Sequence, residues 1–176
     1  SDVVGKLTGG LGQLCKARKI NFIQGRATFV DSNTLRVERV DGGEETIVFT
    51  TAILATGSSP ARIPIAPESP RVLDSTGALD LPDVPEKLLV IGGGYIGLEL
   101  GQAYASFGAE VSVVEMLPSL LAGADADLVR PLAARLRKQF ASIMLETKVC
   151  EIVDAGHNVK VKVEDKKGTV SELVYD

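Results

Sequence analysis

The sequence predicts an α/β fold: a parallel βαβαβ core with an antiparallel meander on it, preceded by a helix and a smaller meander. Three observations predict it. Lys87 to Ile91 is a short apolar run, placed after Pro85 and ending in a glycine cluster. A helical stretch follows the glycines, and a second apolar run with Val111, Val113 and Val114 closes on an acid, Glu115. Runs that alternate apolar with polar residues lie at both ends of the chain. Short continuous apolar runs read as buried strands, and alternating runs as half-buried ones.

Taken in order, residues 3–19 predict a helix with Val4, Leu7, Leu11 and Leu14 as its apolar stripe. Gly9, Gly10 and Gly12 weaken it by up to about 1 kcal/mol each, while Lys16, Arg18 and Lys19 suit its C-terminal end. Residues 22–30 read as a strand. Residues 34–40 and 45–49 alternate and are joined by Asp41-Gly42-Gly43, a hairpin signal. Residues 51–55 form another apolar run, expected as a strand, which ends in Thr56-Gly57-Ser58-Ser59-Pro60. Pro60, Pro64, Pro67, Pro70 and Pro82 follow, a density that leaves little regular structure and puts a domain junction near residues 58–66.

The glycine cluster is the chemical centre of the sequence. Gly92, Gly94 and Gly97 have the G-x-G-x-x-G spacing, between an apolar strand and a helix on which Ile96, Leu100, Ala103 and Phe107 recur and Gly108 is the stop. Gly92 permits a tight turn, Gly94 lets the backbone approach a pyrophosphate, and Gly97 lets helix and strand pack closely. The phosphates would sit at the helix N-terminus, where free N–H groups and the helix dipole favour negative charge. Glu115 stands about 20 residues further on, where a carboxylate accepts hydrogen bonds from the adenosine ribose hydroxyls. A 2′-phosphate there would meet like charge, and residues 116–127 contain no Lys or Arg, so NAD is expected rather than NADP.

Beyond Glu115, residues 126–140 predict a helix with Leu128, Leu132, Leu136 and Phe140 on one face and Asp125 or Asp127 as cap. Pro131 requires that helix to start late or to kink. Residues 143–148 are expected as the third parallel strand. Residues 149–153, 159–164 and 169–174 then form the second meander, with turns at Ala155-Gly156-His157-Asn158 and Asp165-Lys166-Lys167-Gly168. One further parallel strand is expected beside the first. Its absence leaves an open edge near residues 88–91, to be filled by a segment such as residues 52–55 or by the pairing of two chains.

The 176 residues suffice for one domain or one and a half, and 45% hydrophobic with 24% charged residues is ordinary for a globular chain. A net charge of −4 gives no electrostatic case for nucleic acid or an anionic membrane. No apolar run approaches the roughly 18 residues of a membrane span, no signal peptide is visible, and a cytoplasmic location is expected. Cys15 and Cys150 belong to no C-x-x-C cluster and read as free thiols. His157, the one histidine, lies in a turn, so no metal site is expected. A chain that starts at Ser1 is expected to be a processed or excised piece.

With these motifs in order, the chain resembles the pyridine nucleotide–disulfide oxidoreductases. The likeness is carried by Ala55-Thr56-Gly57-Ser58, the proline-rich junction and the run Val90-Ile91-Gly92-Gly93-Gly94-Tyr95-Ile96-Gly97-Leu98-Glu99-Leu100-Gly101. Lys6-Leu7-Thr8-Gly9-Gly10-Leu11, Asp74-Ser75-Thr76-Gly77-Ala78-Leu79, Val114-Glu115-Met116 and Leu145-Glu146-Thr147-Lys148-Val149 are similar to the dihydrolipoyl dehydrogenase branch. The resemblance spans essentially the whole chain, while the chain resembles only the middle of such an enzyme.

The resemblance implies a flavoprotein with FAD and NAD in adjacent domains, residues 1–61 being part of the FAD-binding domain and 62–176 the NAD-binding domain. It implies oxidation of dihydrolipoamide, carried on an acyltransferase subunit of a 2-oxoacid dehydrogenase complex, with hydride passing through FAD to NAD in a homodimer. Gly92, Gly93, Gly94, Tyr95, Ile96, Gly97, Leu98 and Glu99 would contact the NAD pyrophosphate and nicotinamide side, with Tyr95 over the flavin–nicotinamide path and Glu99 facing the nicotinamide. Glu115 would hold the adenosine ribose and Val149 would touch the adenine end. Thr56, Gly57 and Ser58 match a turn that touches FAD, and Ala27 matches a second FAD contact where relatives often have glycine. The family's N-terminal FAD glycine motif, its C-x-x-x-x-C redox pair and its C-terminal His/Glu pair have no counterpart in this sequence, so no catalytic residue is expected here and the chain alone is expected to be inactive. Another disulfide reductase or NADH oxidase of the family, a non-catalytic NAD-binding module and a methyltransferase-type domain are the alternative readings.

Overall fold

The computed structural model describes residues 2–80 and 83–176. Pro82, last of the five prolines, and Ser1 lie outside them. The chain divides into two compact units, Ser1–Gly57 and Ser58–Asp176.

The first unit holds α1 (Asp2–Ala17) and the strands β1 (Gly25–Phe29), β2 (Thr34–Arg39) and β3 (Glu44–Val48). The strands form an antiparallel sheet in the order β1-β2-β3. Gly42 and Gly43, with φ of 93° and 87°, supply the left-handed turn that Asp41-Gly42-Gly43 promised. Phe29 and Phe49 meet edge to face with centroids 6.1 Å apart. Val37 is the buried apolar side chain of this unit among the described residues, and the stripe Val4, Leu7, Leu11 and Leu14 is exposed. Residues 51–55 do not form the expected strand. A strand needs a ladder partner for its N–H and C=O groups, this run has none, and Ile53 is 92% exposed.

The second unit is built in three layers. Its middle layer is the parallel sheet β4 (Lys87–Ile91), β5 (Glu110–Val114) and β6 (Ser142–Met144), in that order. The crossovers carry α3 (Tyr95–Ser106) and α4 (Ala126–Gln139), and α2 (Ser75–Asp80) packs on α3. The third layer is the antiparallel meander β7 (Lys148–Asp154), β8 (Val159–Glu164) and β9 (Val170–Tyr175). Side-chain alternation explains the apolar runs. Val111 and Val113 join Leu98, Leu136 and Phe140 in the core on the helix side. Val114, from the opposite face of the same strand, packs with Ile152, Val159, Val161 and Val163 against the meander. A strand covered on both faces reads as a continuous hydrophobic run.

The helix faces differ from expectation. On α3 the buried side chains are Leu98 and Tyr104, with Gly101 between them, while Ile96 and Phe107 are exposed. On α4 the expected Leu136 and Phe140 are buried and Leu132 packs against the same core, but Val129 and Ala133 join them and Leu128 is exposed. Both helices carry apolar residues on more than one face, so several stripes fit a 3.6-residue period. Helix α4 begins at Ala126 and continues through Pro131, which is exposed; the Asp125 side chain makes no capping hydrogen bond. The third parallel strand is shorter than expected. Glu146, with φ of 51°, turns the chain out of β6 before β7 begins at Lys148. Helix α2 was unexpected. Asp74 caps it, its Oδ1 accepting hydrogen bonds from the N–H groups of Thr76 (3.0 Å) and Gly77 (2.9 Å), a signal legible in Asp-Ser-Thr-Gly.

The open edge of β4 is only partly closed. Lys87 donates its N–H to Asp176 Oδ2 (2.8 Å) and accepts the Asp176 N–H at its carbonyl (3.2 Å). Further along that edge, the backbone groups of Leu89 and Ile91 find no partner among the described residues.

Candidate dinucleotide site

The glycine turn joins β4 to α3. Gly92 has φ of 109° and donates its N–H to the Val114 carbonyl (2.8 Å), extending the parallel ladder by one bond before the chain reverses. That left-handed conformation suits a residue without Cβ. A Cβ on Gly97 would stand 2.5 Å from the Gly92 carbonyl oxygen and 2.9 Å from Val90 Cγ1, so glycine here sets the approach of helix to strand. Gly94 differs from both: it has φ of −78° and nothing lies within 4 Å of its Cβ position. It stands at the α3 N-cap with no side-chain cap, so the first-turn N–H groups keep the orphan donors that every helix start exposes. Tyr95, Ile96 and Glu99 are exposed on this turn, whereas Leu98 is buried in the core.

Gly93, expected only as one of the dinucleotide contacts, is also the point where the turn is tied to Glu115 and the loop behind it. Its N–H donates to Glu115 Oε2 at 2.7 Å, and its carbonyl accepts the Leu121 N–H at 2.9 Å. A Cβ there would meet Leu120 Cδ2 at 2.6 Å. The loop after β5 is thereby fastened over the glycine turn, with Leu120 buried against it.

Glu115 is held from two sides. Besides the Gly93 bond, its Oε1 accepts the Leu117 N–H at 2.7 Å. A carboxylate has about four acceptor positions, so two remain for other donors. The carboxylate thus stands between the glycine turn and the loop that starts at Met116.

A cavity of about 420 Å³ opens on the far side of that loop, lined by Met116, Pro118, Glu146, Lys148, Glu164 and Lys166 among others. Backbone hydrogen bonds from Glu146 N–H to the Leu117 carbonyl (3.1 Å) and from Thr147 N–H to the Glu115 carbonyl (3.0 Å) tie its two walls together. Lys166 Nζ lies 2.7 Å from Glu146 Oε2, and Lys148 Nζ lies 3.0 Å from Glu164 Oε2. The hydrogen bond to Glu164 holds the Lys148 ammonium above its ordinary range, and that to Glu146 does the same for Lys166. Val149, beside Lys148, pairs with Val163 and packs against the second core.

Gly92, Gly93, Gly94, Tyr95, Gly97 and Glu115 therefore converge at one end of the parallel sheet. Ala27 lies in β1 opposite Val37, and Thr56 and Gly57 stand in exposed coil, with Gly57 at φ of 73°. Ser58 opens the second unit and is exposed. Cys15 and Cys150 are free thiols, and among the described residues no cluster of His, Cys, Asp and Glu is placed to hold a metal ion. Among the same residues no helix is long and apolar enough to cross a membrane.

The family model for pyridine nucleotide-disulphide oxidoreductases matches residues 2–175. The chain belongs to that oxidoreductase family. It is 47% identical over 165 residues to a dihydrolipoyl dehydrogenase of Haemophilus influenzae, a match covering 93% of this chain and 34% of the relative. A dihydrolipoyl dehydrogenase of Vibrio parahaemolyticus is 43% identical over 176 residues, 99% of this chain and 36% of the relative. Among solved structures, the Cu(II) complex of a cysteine-to-serine mutant of an HOCl-induced flavoprotein disulfide reductase from Escherichia coli superposes with a TM-score of 0.79 at 31% identity, covering 99% of this chain and 39% of that one. The chain spans about a third of the length of the curated relatives it matches. The family is thus the one the sequence resembled, and the Rossmann-type α/β fold agrees with it.

Proposed function

We propose that residues 62–176 form an NAD-binding domain and that the whole protein is a flavin-dependent dihydrolipoyl dehydrogenase. The observation that carries the reading is the Glu115 carboxylate, fixed by Gly93 and Leu117 beside the open N-terminus of α3. In this reading the pyrophosphate lies over Gly94, against the first-turn N–H groups. The adenosine ribose hydroxyls donate to the remaining acceptor positions of Glu115, and Val149 borders the adenine end. Ile96 and Gly97 contribute first-turn backbone, and Leu98 anchors that turn from below. Tyr95 and Glu99 face the nicotinamide. Residues 1–61 belong to the FAD-binding domain, with Ala27, Thr56, Gly57 and Ser58 as its contacts in this chain. Ala27 and Gly57 are exposed and so open to contact with a bound flavin.

Bound NAD supplies the hydride acceptor and FAD the two-electron carrier before it. The net reaction takes two electrons and two protons from dihydrolipoamide, giving lipoamide, NADH and one proton. The dihydrolipoamide would be presented by an acyltransferase subunit of a 2-oxoacid dehydrogenase complex to a cytoplasmic homodimer. This chain's part is binding and orientation. The names of the curated relatives support this substrate; the Escherichia coli relative at 31% identity favours, as a second reading, a different disulfide substrate.

Calorimetric titration of the chain with NADH and with NADPH tests the site. Tighter binding of NADH, lost in Gly94→Ala, is expected; a folded chain that binds neither refutes it. Assay of the full-length protein with dihydrolipoamide and NAD tests the activity, and turnover of another disulfide in its place would establish the second reading. The 176-residue chain by itself is expected to show no lipoamide turnover.

A further inference from the structure

The sequence argument for NAD over NADP was local: no Lys or Arg follows Glu115 before residue 128. Three-dimensional folding undoes that argument, because it brings Lys148 and Lys166 from the meander to the cavity that Met116 lines. Two ammonium groups in a cavity lined by the residue that follows Glu115 would ordinarily favour a 2′-phosphate. Each is matched by a carboxylate instead, Lys166 by Glu146 at 2.7 Å and Lys148 by Glu164 at 3.0 Å, and Asp165 adds a third acid to the lining.

The order of groups along the site gives these pairs their meaning. The Glu115 carboxylate bridges the glycine turn and the Leu117 N–H, and Met116 and Pro118, on either side of Leu117 in the chain, line the cavity. Leu120 closes the turn on the Gly93 side of Glu115, so in the proposed pose a substituent on the ribose 2′-oxygen would point to the Met116 side, toward the cavity. Glu146 is held there by a left-handed backbone, φ 51°, which is costly for a residue with a side chain and is fixed by its N–H bond to the Leu117 carbonyl.

We infer that the Glu146–Lys166 and Glu164–Lys148 ion pairs are specificity determinants, neutralising the two lysines so that the site rejects a 2′-phosphate and takes a dinucleotide with a free 2′-hydroxyl. The inference rests on the proposed NAD site and adds to it the groups that read the 2′ position. A phosphate dianion entering the cavity must displace a carboxylate from a lysine while facing the other acids. Removing the two glutamate charges leaves Lys148 and Lys166 as free donors in the same place.

The test is titration of the chain and of its Glu146→Gln/Glu164→Gln variant with NADH and NADPH at low salt. The expected result is a shift of at least tenfold in the affinity ratio toward NADPH, with NADH affinity kept within about threefold. Adding Lys148→Gln and Lys166→Gln to the variant should cancel the gain, and raising the salt should shrink it. Thermal melts of all three chains report folding. Should the double variant fail to fold, Glu164→Gln alone, which leaves the Glu146 turn untouched, is expected to shift the ratio at least threefold. NADH binding with an unmoved ratio in a folded variant overturns the inference and spares the NAD site. Failure of the unmodified chain to bind NADH overturns both.

Discussion

Gly97→Ala should be the most damaging single methyl group in the second unit. Its Cβ would stand 2.5 Å from the Gly92 carbonyl oxygen and 2.9 Å from Val90 Cγ1, whereas ordinary contact begins at 3.4 Å. Val90 can turn about χ1, but the Gly92 carbonyl belongs to a backbone tied into the ladder by its N–H bond to Val114. Helix α3 must therefore retreat by roughly 1 Å, carrying Leu98 and Tyr104 away from the core they fill. Overpacking costs about 1–3 kcal/mol, and a backbone obstacle puts this substitution near the upper figure. Gly94→Ala is the control on the same turn. Nothing lies within 4 Å of that Cβ and φ is an ordinary −78°, so stability should change by less than about 0.5 kcal/mol. Urea unfolding followed by circular dichroism distinguishes them: the Gly97→Ala midpoint should fall by about 1–2 M and that of Gly94→Ala should stay. NADH affinity should nevertheless fall at least tenfold in Gly94→Ala. Equal midpoints for Gly97→Ala and the unmodified chain would refute the packing argument; unchanged NADH affinity in Gly94→Ala would refute placement of the pyrophosphate over the turn.

Three further outcomes are expected. Glu115→Gln leaves one of the Gly93 and Leu117 N–H groups without its carboxylate acceptor and should cost about 1–3 kcal/mol of stability, together with NADH binding, by denaturation and calorimetry. Tyr104→Phe removes the hydroxyl that donates to the Ala78 carbonyl at 2.8 Å and should lower stability by about 1 kcal/mol, with NADH affinity unchanged. Asp154 is held below its ordinary value of 3.8, chiefly by the Ser69 hydroxyl and then by the Gly156 N–H. A depressed carboxylate stabilises the fold above its unfolded pKa and loses that contribution as pH falls through the folded one. Melting temperature should accordingly fall below about pH 4, and less steeply in Asp154→Asn.

What was legible in the sequence is what local chemistry fixes. The glycine spacing, the acid at the end of β5 and the Asp41-Gly42-Gly43 hairpin each state a backbone requirement in a few adjacent residues. Helix faces were not legible in the same way. Helix α3 offers Ile96 and Phe107 as readily as Leu98 and Tyr104, and only the presence of Val111 and Phe140 across the interface decides between them. Residues 51–55 show the converse, since an apolar run becomes a strand only where a partner supplies the ladder. In the candidate site, Gly92, Gly94, Gly97 and Glu115 could be named from spacing. The contacts of Gly93 with Leu120 and Leu121, and the two lysines that line the cavity with Met116, depend on segments 27 to 50 residues away and have no local signature.

The double anchoring of Glu115 also has a thermodynamic consequence. A glutamate free to rotate gives up rotamer entropy when it engages a ligand, of the order of 1.5–2 kcal/mol when fully fixed. Here Gly93 and Leu117 restrict that side chain as the chain folds, so much of this loss is charged to folding rather than to binding. Affinity at the site then depends on residues a ligand never reaches: anything that loosens Leu120 or Leu121 from the glycine turn returns disorder to Glu115, and with it the entropic penalty of capturing a dinucleotide.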